Sequence, residues 1–219
     1  MSLSDTTQLF LLFALCIFFS TAFLHLIKRR GTLVIAYSFQ SLIIILLLGV
    51  IGTIEHAQSL LVAAVLTFVA KVIFVPFIFM RAIKEQDEKM LTGAYLNTPL
   101  TLVAIFAIVL LASAQIFTPI VRLVPYGTAT ANLALASVFV SLFLTINRKG
   151  MVHQIVGVLS MENSIVVLGA LIGFENTFAL ELGMTFDVLM WTVGASVFIA
   201  LAREHFGTLD TSIIKDLRD

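Results

Sequence analysis

Runs of about twenty apolar residues recur along this chain, each closed by a short polar turn. A helix rises about 1.5 Å per residue, so such a run reaches across about 30 Å of bilayer hydrocarbon. Seven are read, near residues 8–27, 31–54, 58–80, 96–117, 130–146, 151–174 and 177–202. Lipid offers backbone N–H and C=O groups no partner, so a spanning segment must satisfy its own, which a helix does. The expected fold is an all-α integral membrane protein of about seven transmembrane helices, a single domain over 1–203, with a tail at 204–219. Charge agrees: 12% of the 219 residues are charged and 60% are hydrophobic, where a soluble domain carries about 25% charged residues.

Seven crossings put alternate loops on opposite sides. Of the 13 lysines and arginines, Lys71 lies inside a span and Arg122 alone falls in the loops of one side. The remaining eleven (13 less 2), from Lys28, Arg29 and Arg30 to the tail, fall on the other. Basic loops stay in the cytoplasm, which places the N-terminus outside and the C-terminus inside. The first segment has no basic leader and no A-x-A-like cleavage site after it, so it reads as a retained helix.

Several function classes drop out. The formal net charge is zero, which argues against nucleic-acid binding. No P-loop, G-x-G-x-x-G, C-x-x-C or H-E-x-x-H motif is present, so no cofactor or metal is expected in this chain. The single cysteine, Cys16, can form no internal disulfide and reads as a small buried hydrophobe. His25, His56 and His153 lie near span ends and read as interfacial or hydrogen-bonded. The run at 81–95 reads as a solvated turn of mixed charge. In the tail, Phe206, Leu209, Ile213 and Leu217 recur at amphipathic spacing, suited to docking on a partner or to the membrane surface.

Three ionisable residues oppose the apolar pattern: Lys71, Glu162 and Asp187. A charge near the bilayer centre costs about 3 kcal/mol or more, so it persists where it pairs, titrates or lines water. Lys71 lies near mid-depth. Pro76, five residues on, deprives the Val72 carbonyl of its usual donor and should kink the helix. Glu162 is also at mid-depth and is followed by Asn163 and Ser164. Gly169 and Gly173 on the same helix form a small-xxx-small pair that invites close helix approach. Asp187 stands in the outer half of the last span near Thr185 and Trp191. If that helix starts later, Asp187 is an interfacial residue beside Glu175 and Glu181.

Spans 1–3 and 5–7 show a faint repeat around the fourth. Each block has a basic turn (K-R-R-G, N-R-K-G), then a polar pair (Gln40 and Ser41, Glu162 and Asn163), then one charge (Lys71, Asp187). Separation by four spans would make this a parallel repeat of two three-helix blocks.

The basic turn ending in Gly150, then Gly157, then M-E-N-S at 161–164, an aliphatic helix and a last acidic helix resemble the E component of hydrogenase-4. The stretch A-K-V-I-F-V-P at 70–76 matches that family's lysine-bearing third helix, and F-G-T-L-D at 206–210 its C-terminal signature. The family is similar in turn to the three-helix K component of respiratory complex I and to the C component of multi-subunit cation/proton antiporters. The complex I pattern places its glutamate at Leu159, whereas here the carboxyl is at Glu162. Asn163 falls on the pattern's asparagine, and Asp187 stands for a further buried glutamate.

The resemblance implies a membrane-arm subunit of the prokaryotic inner membrane with no cofactor of its own, a non-catalytic part of an oxidoreductase complex. It implies antiporter-like large subunits as neighbours and a peripheral hydrogenase-type module whose subunits carry Fe–S clusters and NiFe. It implies passage of protons, or Na⁺, along Lys71, Glu162, Asn163 and Asp187, with His153 where protons arrive from the cytoplasm. Other readings are a scaffold subunit, an antiporter subunit or a stand-alone transporter of small solutes. A seven-helix photoreceptor would carry its lysine on the last helix and not the third.

Overall fold

The computed structural model describes residues 3–84, 93–173 and 192–194. Asp187, most of the segment at 177–202, most of the turn at 81–95 and the tail at 204–219 lie outside the described residues.

Helix α1 covers Leu3–Leu24 and α2 Arg30–Ile54. The third long helix starts as α3 (Gln58–Thr67), passes through a π-helical turn (Phe68–Phe74) and ends as α4 (Val75–Lys84). Then follow α5 (Thr98–Ala112), a 3₁₀ turn (Gln115–Phe117), α6 (Thr118–Val121), α7 (Thr128–Asn147) and α8 (Met151–Ile172). Among the described residues, five helices are long and apolar enough to cross a membrane: α1, α2, the α3–α4 unit, α7 and α8.

The expected fourth span at 96–117 is not one helix. Helix α5 has 15 residues, about 22 Å, and the 115–121 piece follows it at 52°. Counted as one broken span, the pair would make a sixth crossing. Local chemistry sets both ends. Asn97 accepts from the Leu100 N–H at 3.0 Å, with Pro99 in the first turn, the usual start signals. At the far end the Ser113 hydroxyl bonds the Val109 carbonyl at 3.0 Å, and Ala114 turns extended. Helix α8 also ends earlier than its glycine pair suggested: Gly173 takes φ 76° as a left-handed cap. It terminates the helix.

Helices α1, α2, α3–α4, α7 and α8 form the bundle, with α5 packed on the outside of α7. The α7–α8 pair is the closest. A Cβ on Gly157 would lie 2.8 Å from the Thr145 backbone nitrogen and overlap its hydroxyl, so glycine is what lets these helices meet. Large apolar side chains such as Phe19, Phe39, Phe77 and Phe106 point outward, as hydrocarbon solvent permits. Cys16 is half-buried on this outer face.

The interior is stratified. One apolar cluster lies at the basic end of the bundle and includes Leu24, Leu33, Val75, Leu144 and Val156. A second lies at the other end and includes Phe10, Ile44, Leu60, Ala134 and Val167. Every one of the five long helices contributes to both clusters, and buried polar residues separate the two along each: Thr21, then Gln40 and Ser41, then Thr67 and Lys71, then Ser137 and Ser141, then Ser160, Asn163 and Ser164.

Candidate functional site

The polar layer is built around Lys71. The Val75 N–H bonds the Ala70 carbonyl, five residues back. In that register Pro76 faces the carbonyl of Lys71, and not that of Val72 as an uninterrupted α-helix would have it. The proline is thus absorbed by a wide turn, and residues Gln58–Arg81 read as one span. Such π turns occur often at functional positions, and this one carries the lysine into the bundle.

Lys71 is 1% exposed, and its Nζ stands 2.9 Å from Glu162 Oε1, whose side chain is 17% exposed. The same ammonium donates to Asn163 Oδ1 at 3.0 Å. This fixes the Asn163 amide, since Oδ1 must accept, so Nδ2 donates to Ser41 Oγ at 3.2 Å and to Gln40 Oε1 at 3.4 Å. Gln40 Nε2 then donates to Thr21 Oγ1 at 2.8 Å and Ser160 Oγ at 2.9 Å. Ser141 Oγ lies 3.1 Å from Ser160 Oγ and 3.2 Å from Ser164 Oγ. One connected network therefore links α1, α2, the π turn, α7 and α8.

Its members do different chemistry. Lys71 and Glu162 can exchange or release a proton; the Asn163 and Gln40 amides hold theirs and can only orient and polarise. From Lys71 the donors run outward through Asn163 to Ser41 and Gln40 and on to Thr21 and Ser160, which fixes the position of the amine. The ionisable part is the ion pair, with the carboxylate at the rim and the amine inside.

Two histidines form a separate cluster at the basic end. His153 is buried, with Nε2 3.2 Å from the Ile27 carbonyl. His25, just past the end of α1, places Nε2 3.0 Å from the Val140 carbonyl and stacks on Phe143 with ring centroids 5.1 Å apart. Arg148 donates to the His25 carbonyl. Burial pulls His25 down to about 4, opposed by the Val140 bond and reinforced by the Arg148 charge, so it is neutral at physiological pH. Tyr37, Val156 and Leu159 of the basic-end apolar cluster stand between His153 and the Lys71 layer.

Of the residues singled out in the sequence, the structure thus joins Lys71, Glu162 and Asn163. It sets His153 with the Ile27 carbonyl instead, and Asp187 lies outside the described residues. Sequence reasoning placed Gln40 and Ser41 in a repeat and not in the site, and it passed over Thr21, Ser141 and Ser160. Their signal was faint: polar residues about one to three turns from a span's basic end, on faces only the fold defines.

No family model matches the chain, and no solved structure matches it. The chain is 27% identical over 169 residues to an uncharacterized protein of Mycobacterium tuberculosis, covering 77% of each. It is 24% identical over 186 residues to Hydrogenase-4 component E of Escherichia coli K12, covering 83% of this chain and 84% of that one. The same similarity holds for Hydrogenase-4 component E of Shigella flexneri.

Proposed function

We propose that this chain is a membrane-arm subunit of a hydrogenase-4-like, energy-converting complex, in which the Lys71–Glu162 pair serves redox-coupled movement of protons or Na⁺. The complex would sit in a prokaryotic inner membrane, beside antiporter-like subunits and a peripheral module bearing Fe–S clusters and NiFe. The chain would cross seven times, N-terminus outside and C-terminus cytoplasmic, with Asp187 in the last crossing continuing the path. Similarity to Hydrogenase-4 component E over most of both chains and helices of membrane length support the subunit reading.

The observation that carries the ion-path reading is the 2.9 Å pair set in a polar layer between two apolar clusters. Apolar material above and below favours passage along the membrane plane, between neighbouring subunits, over a pore through this chain. Glu162 is the member that reaches the outer face of the layer. In the assembled complex, Glu162→Gln and Lys71→Met are each expected to cut redox-coupled ion transfer at least tenfold while electron transfer in the peripheral module persists. Intact coupling in both variants would leave the scaffold reading, which the amide-rich, fully bonded network also suits. Recovery of a nickel-containing large subunit with the chain in mild detergent tests the partner assignment separately.

A further inference from the structure

Among the described residues, Tyr37 of α2 is the largest side chain that is fully buried. Its ring belongs to the basic-end apolar cluster, with Val75 at the head of α4 and Leu159 of α8. Leu159 stands three residues before Glu162, on the same side of that helix. No group among the described residues hydrogen-bonds the Tyr37 hydroxyl. Yet the Glu162 charge and the Ser41 hydroxyl both act on it, so the polar end of the ring faces the Lys71 layer. A buried hydroxyl without a partner costs free energy that phenylalanine, with the same ring, would not. Such a group calls for an explanation.

The surrounding bonds single out one acceptor for it. Ser41 has one hydrogen, which goes to the Tyr37 carbonyl at 3.1 Å, and its oxygen already accepts from Asn163 Nδ2 at 3.2 Å. Asn163 Oδ1 takes Lys71, and Gln40 Nε2 is divided between Thr21 and Ser160. A carboxylate, by contrast, offers about four acceptor positions, more than one ammonium fills. The two halves of the ion pair are also held unequally. Lys71 is 1% exposed and has a second acceptor in Asn163, whereas Glu162 reaches the rim with its side chain 17% exposed. The carboxylate is therefore the half that can turn while the ammonium keeps an amide partner. We propose that Tyr37 is a positioning residue of the ion pair, its hydroxyl donating to the Glu162 carboxylate whenever that carboxylate turns from Lys71. A charge-assisted bond of this kind holds the anion in the layer between its encounters with Lys71. The proposal deepens the ion-path reading, on which its functional consequence rests.

The test places Tyr37→Phe, which deletes only the hydroxyl, in three backgrounds of the full chain, purified in mild detergent with any subunits that accompany it. In the native background the thermal midpoint should stay unchanged or rise slightly, because the hydroxyl is then unbonded. In Lys71→Met, where Glu162 has lost its ammonium, Tyr37→Phe should lower the midpoint by a further 2–4 °C, about the shift of one lost bond in a chain of this size. In Lys71→Met/Glu162→Gln that loss should largely vanish. A loss already present in the native background would make the hydroxyl a structural partner of Ser41. No loss in Lys71→Met, or an equal loss with and without Glu162→Gln, would remove Glu162 as its acceptor. Each of these overturns the proposal. The assembled complex gives a second measurement that does not depend on the Lys71 variant folding. There Tyr37→Phe should cut redox-coupled ion transfer about fivefold while electron transfer persists. Full coupling in Tyr37→Phe where Glu162→Gln reduces it would overturn the role of Tyr37 alone. Full coupling in both would overturn the ion-path reading, and the positioning role with it.

Discussion

At Lys71 an ammonium group is almost wholly removed from solvent, and two acceptors, Glu162 and Asn163, meet it within 3.0 Å. Removing one partner of such a pair leaves the other charge uncompensated, at a cost of about 3–5 kcal/mol, whereas removing both can be nearly neutral. Lys71→Met should therefore lower the thermal midpoint in detergent markedly. The Lys71→Met/Glu162→Gln double variant should recover most of the loss, and additive losses would show that the two side chains do not interact. His25 makes a second residue-scale prediction. Its native value of about 4 lies below the ordinary 6.5, so between those values the unfolded chain binds more protons. Stability gained from neutral His25 is present above about 6.5 and is lost as pH falls towards 4. Thermal midpoints measured from pH 7.5 to 4.5 should decline, and His25→Gln should flatten the decline. An unchanged slope in that variant would assign the effect to other groups.

Between elements, the α7–α8 contact depends on a missing side chain. The nearest atoms to a Cβ at Gly157 include the Thr145 nitrogen at 2.8 Å and Cα at 3.0 Å, which no rotamer change relieves. Gly157→Ala is expected to cost at least the about 1–3 kcal/mol of ordinary overpacking. Thr145→Ala should rescue little, because backbone atoms make the clash; full rescue by Thr145→Ala would contradict the geometry. At the same scale, the bonded pairs Thr21–Gln40 and Ser141–Ser160 stand 120 residues apart (141 less 21, 160 less 40), and Gln40 bridges them at 2.9 Å. That spacing differs by two residues from the faint repeat's match of Gln40 with Glu162 (162 less 40 is 122). Lys71 and Glu162 were legible because charge in a hydrocarbon-length segment has few innocent explanations. Their pairing was not, because helix order within a bundle leaves no mark on composition. Thr21 and Ser141 stayed hidden because each also bonds the carbonyl four residues back, an arrangement open to any serine or threonine in a membrane helix. The π turn was equally silent, since one extra residue in a turn changes neither length nor hydropathy.

Across the whole molecule, five helices repeat one vertical order of apolar, polar and apolar side chains. A layer closed on both sides can hold charge and exchange it sideways without short-circuiting the membrane, so the apolar clusters are expected to be seals. Two residues test this: Ile44, one turn beyond Gln40 in the far cluster, and Val75, one turn beyond Lys71 in the basic-end cluster, both 0% exposed. Liposomes containing the native chain should remain close to proton-tight after an acid jump. Ile44→Asn or Val75→Asn alone breaches one seal and should change little. Together they place polar groups above and below the layer and should speed pH equilibration about tenfold or more, at a folding cost of about 1–3 kcal/mol for each buried amide. Replacing Lys71 with Met in that double variant should slow the leak again if the layer carries protons, because it would lose its ionisable amine. A native chain that leaks as fast as the double variant would refute the seals and make the layer part of a transmembrane pore.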